Sequence, residues 1–139
     1  MMASDKADRS NRGEEVTATE NSLGTRIGPF YDTKVVAGSL NVSRSTLYRR
    51  LARRKILGLR TADNKYLFPS WQFDRDGHVP EQLAEVLSAI DPHLQDPWGD
   101  ALWLNSPASF LGGDRPIDRI RRGDMRDVLR VASRIGAIS

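Results

Sequence analysis

The sequence predicts a mainly α fold: an N-terminal helix-turn-helix with a small β-hairpin wing, followed by a helical C-terminal module. Three observations carry that expectation. Two short helical periods between Thr33 and Arg54 are joined by a turn at Asn41, a residue that tolerates left-handed backbone. After Lys55 the pattern alternates instead, with Asp63-Asn64 between two apolar runs as a hairpin signal. Beyond Pro80, apolar residues recur at helical spacing in segments punctuated by Asp-Pro, Asn-Ser-Pro and Gly-Gly.

Composition excludes several classes. A chain of 139 residues fits one ordinary domain or two small modules, and 39% hydrophobic content suffices for modest cores. There is no cysteine, so disulfides and thiolate metal sites are excluded. The two histidines, His78 and His93, make no zinc constellation, so neither a metal nor a cofactor is expected. No apolar run approaches a membrane span and the N-terminus lacks a secretory pattern, which makes the cytoplasm the expected compartment and a membrane an unexpected partner. No nucleophile–base pair or paired acid at meaningful spacing points to an enzyme.

Charge is placed rather than spread. The net charge is +3, yet residues 33–60 hold Lys34, Arg44, Arg49, Arg50, Arg53, Arg54, Lys55 and Arg60 against no acid. Residues 61–113 sum to −6 and residues 114–139 to +3. A basic block beside an acidic one implies two surfaces with different partners.

Taken in order, residues 1–26 are polar and aperiodic and are expected to form a disordered tail. Residues 27–76 should form the DNA-binding unit. Asp32 or Thr33 caps its first helix, which buries Val35, Val36 and Leu40, and Gly38 to Asn41 make the turn. Ser43 caps the second helix through the amide of Ser45 or Thr46. At 100° per residue, Leu47, Leu51 and Arg54 share the buried face of that helix, while Ser45, Arg49 and Arg53 face away. Short polar and Arg side chains on one exposed face suit base edges and phosphates. The DNA-contact candidates are therefore Arg44, Ser45, Thr46, Tyr48, Arg49, Arg50, Arg53 and Arg60, with Arg60 or Lys65 of the wing reaching backbone phosphate.

A polar joint at 74–77 leads to a helix that Pro80 opens and that buries Leu83, Val86, Leu87 and Ile90. A short helix over 98–104 presents Trp98, Leu102 and Trp103 and stops at Asn105-Ser106-Pro107. Pro116 opens the next, carrying Ile117 and Ile120, and Gly123 ends it. Asp124 is expected to cap the last helix, with Met125, Val128, Leu129, Ala132 and Ile135 on one face, Arg126, Arg130 and Arg134 on the other, and Gly136 as its stop.

Two resemblances add to this reading. The run VSRSTLYRRLARRKILGLR with YLFPSWQF, covering about 33–73, resembles excisionase-type and MerR-like DNA-binding modules, in which such a helix precedes a short hairpin. Lys55 departs from it, standing where related sequences often place Gly. The order Trp103-Leu104-Asn105, Pro107, Leu111-Gly112-Gly113, Pro116-Ile117, Gly123-Asp124, Val128-Leu129 and Ala132 resembles the C-terminal toxin-binding domain of the Xre/MbcA/ParS antitoxins. That resemblance implies a protein partner, a cognate toxin often of the NAD-degrading RES type, bound through residues 77–139 while the N-terminal unit represses its own operon at operator DNA. It implies homo-oligomers or hetero-oligomers with the toxin. Trp103, Arg119, Arg122, Arg126, Arg130, Arg134 and Ile138 are the toxin-facing candidates, the arginines meeting either an acidic toxin rim or water. The competing expectation is a stand-alone transcription regulator or excisionase-like factor whose C-terminal helices pair with a second copy.

Overall fold

The computed structural model describes residues 24–138. Most of the expected tail, 1–23, lies outside the described residues. Residues 24–27 do not belong to a tail: they are helical, Ile27 is fully buried, and the main-chain oxygens of Arg26 and Ile27 accept from Asn105 Nδ2 at 3.0 Å and Trp71 Nε1 at 2.6 Å.

The chain then forms β1 (Phe30–Asp32), α1 (Thr33–Leu40) and α2 (Arg44–Ala52). Asp32 caps α1 by accepting from Val35 N at 2.8 Å, and Ser43 caps α2 by accepting from Thr46 N at 3.1 Å. The turn is later and tighter than Gly38 to Asn41: α1 continues to Leu40, and Asn41 alone takes the left-handed conformation, at φ 56°. Val42 N then bonds back to Ala37 O at 3.0 Å.

Behind α2 run β2 (Leu59–Arg60) and β3 (Tyr66–Pro69), joined by a loop in which Asn64 has φ 67° and Thr61 N donates to Lys65 O at 2.8 Å. The wing has a third strand that the sequence does not announce. β1 pairs antiparallel with β3, Tyr31 opposite Phe68, giving the order β1-β3-β2. Gly58 permits the wing to close on α2, since a Cβ there would stand 2.7 Å from Leu51 Cδ1.

The remaining helices are α3 (Leu83–Ile90), α4 (Pro97–Leu104), α5 (Pro116–Arg121) and α6 (Arg126–Ala137). Three boundary expectations are corrected. Pro80 precedes α3 by a turn instead of opening it, with Leu83 N bonded to Pro80 O at 3.1 Å. Asp124 does not cap α6; its carboxylate accepts from Arg119 Nη1 at 3.0 Å, and α6 starts without a side-chain cap. Gly136 does not stop α6 but lies inside it, buried where the helix crosses α3, and a Cβ at that position would run into the main-chain oxygen of Ala89. Glycine is required there by backbone-to-backbone approach.

Two buried clusters hold the structure. Val36, Leu47, Ile56 and Phe68 fill the space between the helix pair and the sheet. The larger cluster gathers Leu83, Val86, Leu87, Ile90, Ala101, Leu104, Leu111, Ile117, Ile120, Val128 and Ala132 from the C-terminal helices, together with Ile27, Leu57 and Leu59 from the N-terminal unit. The chain joint lies at 74–80, but the hydrophobic core does not divide there. Gln72 ties the same seam: fully buried, it accepts from Leu57 N at 2.8 Å and donates to Leu57 O at 2.7 Å.

Candidate nucleic-acid interface

The second helix of the pair, α2, divides by face. Leu47 is fully buried and Leu51 half-buried, while Arg44, Ser45, Tyr48, Arg49, Arg50 and Arg53 are exposed. Thr46 is intermediate, and its hydroxyl oxygen accepts from Ser43 Oγ and from Arg49 Nη2, both at 3.1 Å. The cap at the start of α2 thereby orients one of the arginines beyond it. Among the described residues, none of Arg44, Arg49, Arg50 and Arg53 forms an ion pair with a carboxylate.

Arg60 is exposed on the wing, its Nε donating to Asn64 Oδ1 at 2.6 Å and its main-chain oxygen held by Trp98 Nε1 at 3.1 Å. Between wing and helices runs a groove lined by Lys34, Arg44, Tyr48, Arg60, Lys65 and Tyr66 among others, with Asp32 as its one acid and the Tyr48 and Tyr66 rings 5.9 Å apart. Sequence reasoning left Lys34 out of the site, although its place in the first turn of α1 puts it beside the start of α2. Lys65 is shared with Asp63 at 3.9 Å, so its charge is partly balanced.

Arg54 stands apart from its neighbours. It closes α2 in the left-handed conformation, φ 60°, while Lys55 N reaches back to Arg50 O at 2.9 Å, the pattern that usually recruits glycine at that site. Lys55 therefore sits one residue past the left-handed position. The Arg54 side chain turns inward, Nη1 donating to Asp91 O at 2.6 Å and Nη2 lying 4.0 Å from Asp91 Oδ2 and 3.7 Å from Asp100 Oδ2.

The C-terminal arginines are arranged differently. Arg119 is engaged internally by Asp114, Asp124 and the Leu111 main-chain oxygen, at 2.8, 3.0 and 2.8 Å. Its hydrogen bond, followed by that of Arg122, holds the Asp114 carboxyl below its ordinary range. Arg130 pairs with Asp127 at 3.2 Å. Trp103 is half-buried and stacks on Phe110 at 6.4 Å. Arg126 and Arg134 are exposed without a carboxylate partner among the described residues, and Ile138 is 86% exposed. The seven candidates thus do not form one free surface: Trp103 and Arg119 build the fold, and Arg126, Arg134 and Ile138 remain outward.

At the joint, Asp74, Asp76 and His78 come together, all exposed. The grouping follows from a turn in which Asp74 Oδ1 accepts from Asp76 N and His78 N, each at 2.9 Å. The amide of His78 is also the main cause of a lowered Asp74 pKa. Among the described residues no helix is long and apolar enough to cross a membrane.

No protein-family model matches the chain, and no curated protein matches it. Among solved structures, the chain is similar to the NMR structure of Rv2175c, with a TM-score of 0.63 and 23% identity over 78% of this chain and 81% of that one. At that identity the likeness shows the fold: a mainly helical chain with a small antiparallel sheet.

Proposed function

We propose that this chain is a DNA-binding protein that places α2 in the major groove and the Lys34–Arg44–Arg60 groove along a phosphate backbone. The observation that carries this reading is the contrast in arginine pairing. Arg115, Arg119, Arg121, Arg122 and Arg130 have carboxylate partners within the chain and Arg126 and Arg134 stand unpaired two turns apart, whereas Arg44, Arg49, Arg50 and Arg53 crowd within ten residues, exposed and with no carboxylate partner among the described residues. Like charges on adjacent turns of one helix repel, and a polyanion relieves that repulsion. Sequence discrimination falls to Ser45, Arg49 and Arg53 on the outward face, and affinity to Arg44, Arg50, Arg60 and Lys34. In this reading the C-terminal helices are the platform that carries the wing, because Leu57 and Leu59 share their core. Selection of bound genomic fragments, followed by footprinting, tests it; a single protected site that Arg49→Ala with Arg53→Ala abolishes is the expected result.

The antitoxin reading is a second proposal, favoured by Arg126, Arg134 and Ile138 at the outer side of α6. Its partner is a toxin, with the RES type as the first candidate. Co-expression with the product of an adjacent gene tests it: Ile138→Asp with Arg134→Ala should release a toxin that the unaltered chain restrains. Pairing of two copies through the apolar faces of the last helices is less well supported, since Val128 and Ala132 are fully buried within one chain.

A further inference from the structure

A cleft of about 260 Å³ opens between the end of α2, the wing and the C-terminal helices, lined by Leu51, Arg54, Leu57, Tyr66, Leu87 and Asp100 among others. Leu94, 57% exposed, stands at its edge. Its wall is mostly apolar, and its charged groups are Arg54, Arg60 and Asp100. Asp100 is 5% exposed, and its Oδ2, 3.7 Å from Arg54 Nη2, is a buried side-chain atom with no hydrogen-bond partner. A buried acceptor without a partner is costly, and it gains most from a ligand that donates to it.

Charge selects the kind of donor. Asp91 and Asp100 share one guanidinium, that of Arg54, which leaves one negative charge unbalanced when both acids are ionised. Asp91 is otherwise satisfied by the amides of Gln95 and Asp96, both at 2.8 Å. The other charged groups nearby are Asp96, which caps α4, and Arg60 at the rim, whose Nε is held by Asn64. We propose that this cleft binds a small organic monocation, its ammonium group donating to Asp100 Oδ2 and its compact apolar body lying against Leu51, Leu57 and Leu87. Nothing in this inference depends on DNA binding.

A ligand cation competes here with a proton. Burial, followed by the hydrogen bond and charge of Asp91, raises the Asp100 pKa to about 8. The cation requires the ionised form, so its affinity should climb as pH rises towards that value.

The test is an amide-resolved NMR titration of the full chain with benzylammonium, using benzyl alcohol as the uncharged control. Saturable shifts at Leu57, Gly58 and Tyr66 are expected with benzylammonium alone, stronger at about pH 8 than at about pH 6. Asp100→Asn should weaken them about tenfold or more. Leu94→Trp, at the exposed edge, should block entry while leaving Asp100 and Arg54 in place, and it decides the matter if Asp100→Asn fails to fold. Absence of saturable shifts, equal binding of benzyl alcohol, or undiminished binding in a folded variant overturns the proposal.

Discussion

Single residues show where local chemistry can be read directly and where it cannot. Asp32 and Ser43 are short acceptors just ahead of helical periods, and each caps the helix that follows, because the cap and its amide lie three residues apart. Asp100 is the opposite case: its surroundings, Arg54 and Asp91, come from separate elements, and no local pattern announces the cluster. Its effect on stability is testable. Asp100 holds its proton more tightly folded than unfolded, so its contribution is complete below the unfolded value of 3.8 and is lost as pH rises through about 8. The lowered carboxyls of Asp91, Asp114 and Asp118 act in the other direction, losing their stabilisation as pH falls below about 4, outside that window. Urea denaturation between about pH 5 and pH 8 should show a falling midpoint in the unaltered chain and a nearly flat one in Asp100→Asn.

Among the elements, the six longer helices are legible from apolar spacing, except that in α1 Val35 is 50% exposed instead of buried beside Val36. β1 is not: Phe30–Asp32 is too short to alternate, and its pairing with β3 is set by residues nearly forty positions away. The α3–α6 crossing was equally hidden, because a glycine near a chain end looks like a helix stop whether it ends the helix or admits a neighbour. Gly136→Ala distinguishes the two. An added methyl at a left-handed terminating glycine costs about 1 kcal/mol through its backbone alone, whereas here it meets the Ala89 carbonyl and must push α3 from α6, costing roughly 3 kcal/mol. Thermal unfolding should register a drop of several degrees.

In the whole molecule, the basic face of α2 was visible as a run of positive charge without acids. The inward turn of Arg54 was visible only as an angle on the helical wheel. The extent to which the C-terminal helices complete the N-terminal unit was not visible, since Leu57 and Leu59 look like ordinary strand residues until Leu83, Leu87 and Leu104 are found in the same cluster. A fragment ending at residue 76 should therefore lack a cooperative unfolding transition and bind duplex weakly, despite retaining every DNA-contact candidate. A dispersed NMR spectrum with undiminished affinity for that fragment would show that the helix-turn-helix stands alone.

The central claim is that the unpaired arginines of α2 meet DNA phosphates and bases. The most direct measurement is the affinity for one duplex of about 20 base pairs as salt is raised from about 50 to 200 mM, for the unaltered chain and for Arg44→Ala with Arg50→Ala. The account predicts a steep linear fall of log affinity with log salt, flattened in the double variant by about 0.9 for each phosphate contact removed. A folded double variant with the same affinity and slope as the unaltered chain would contradict it.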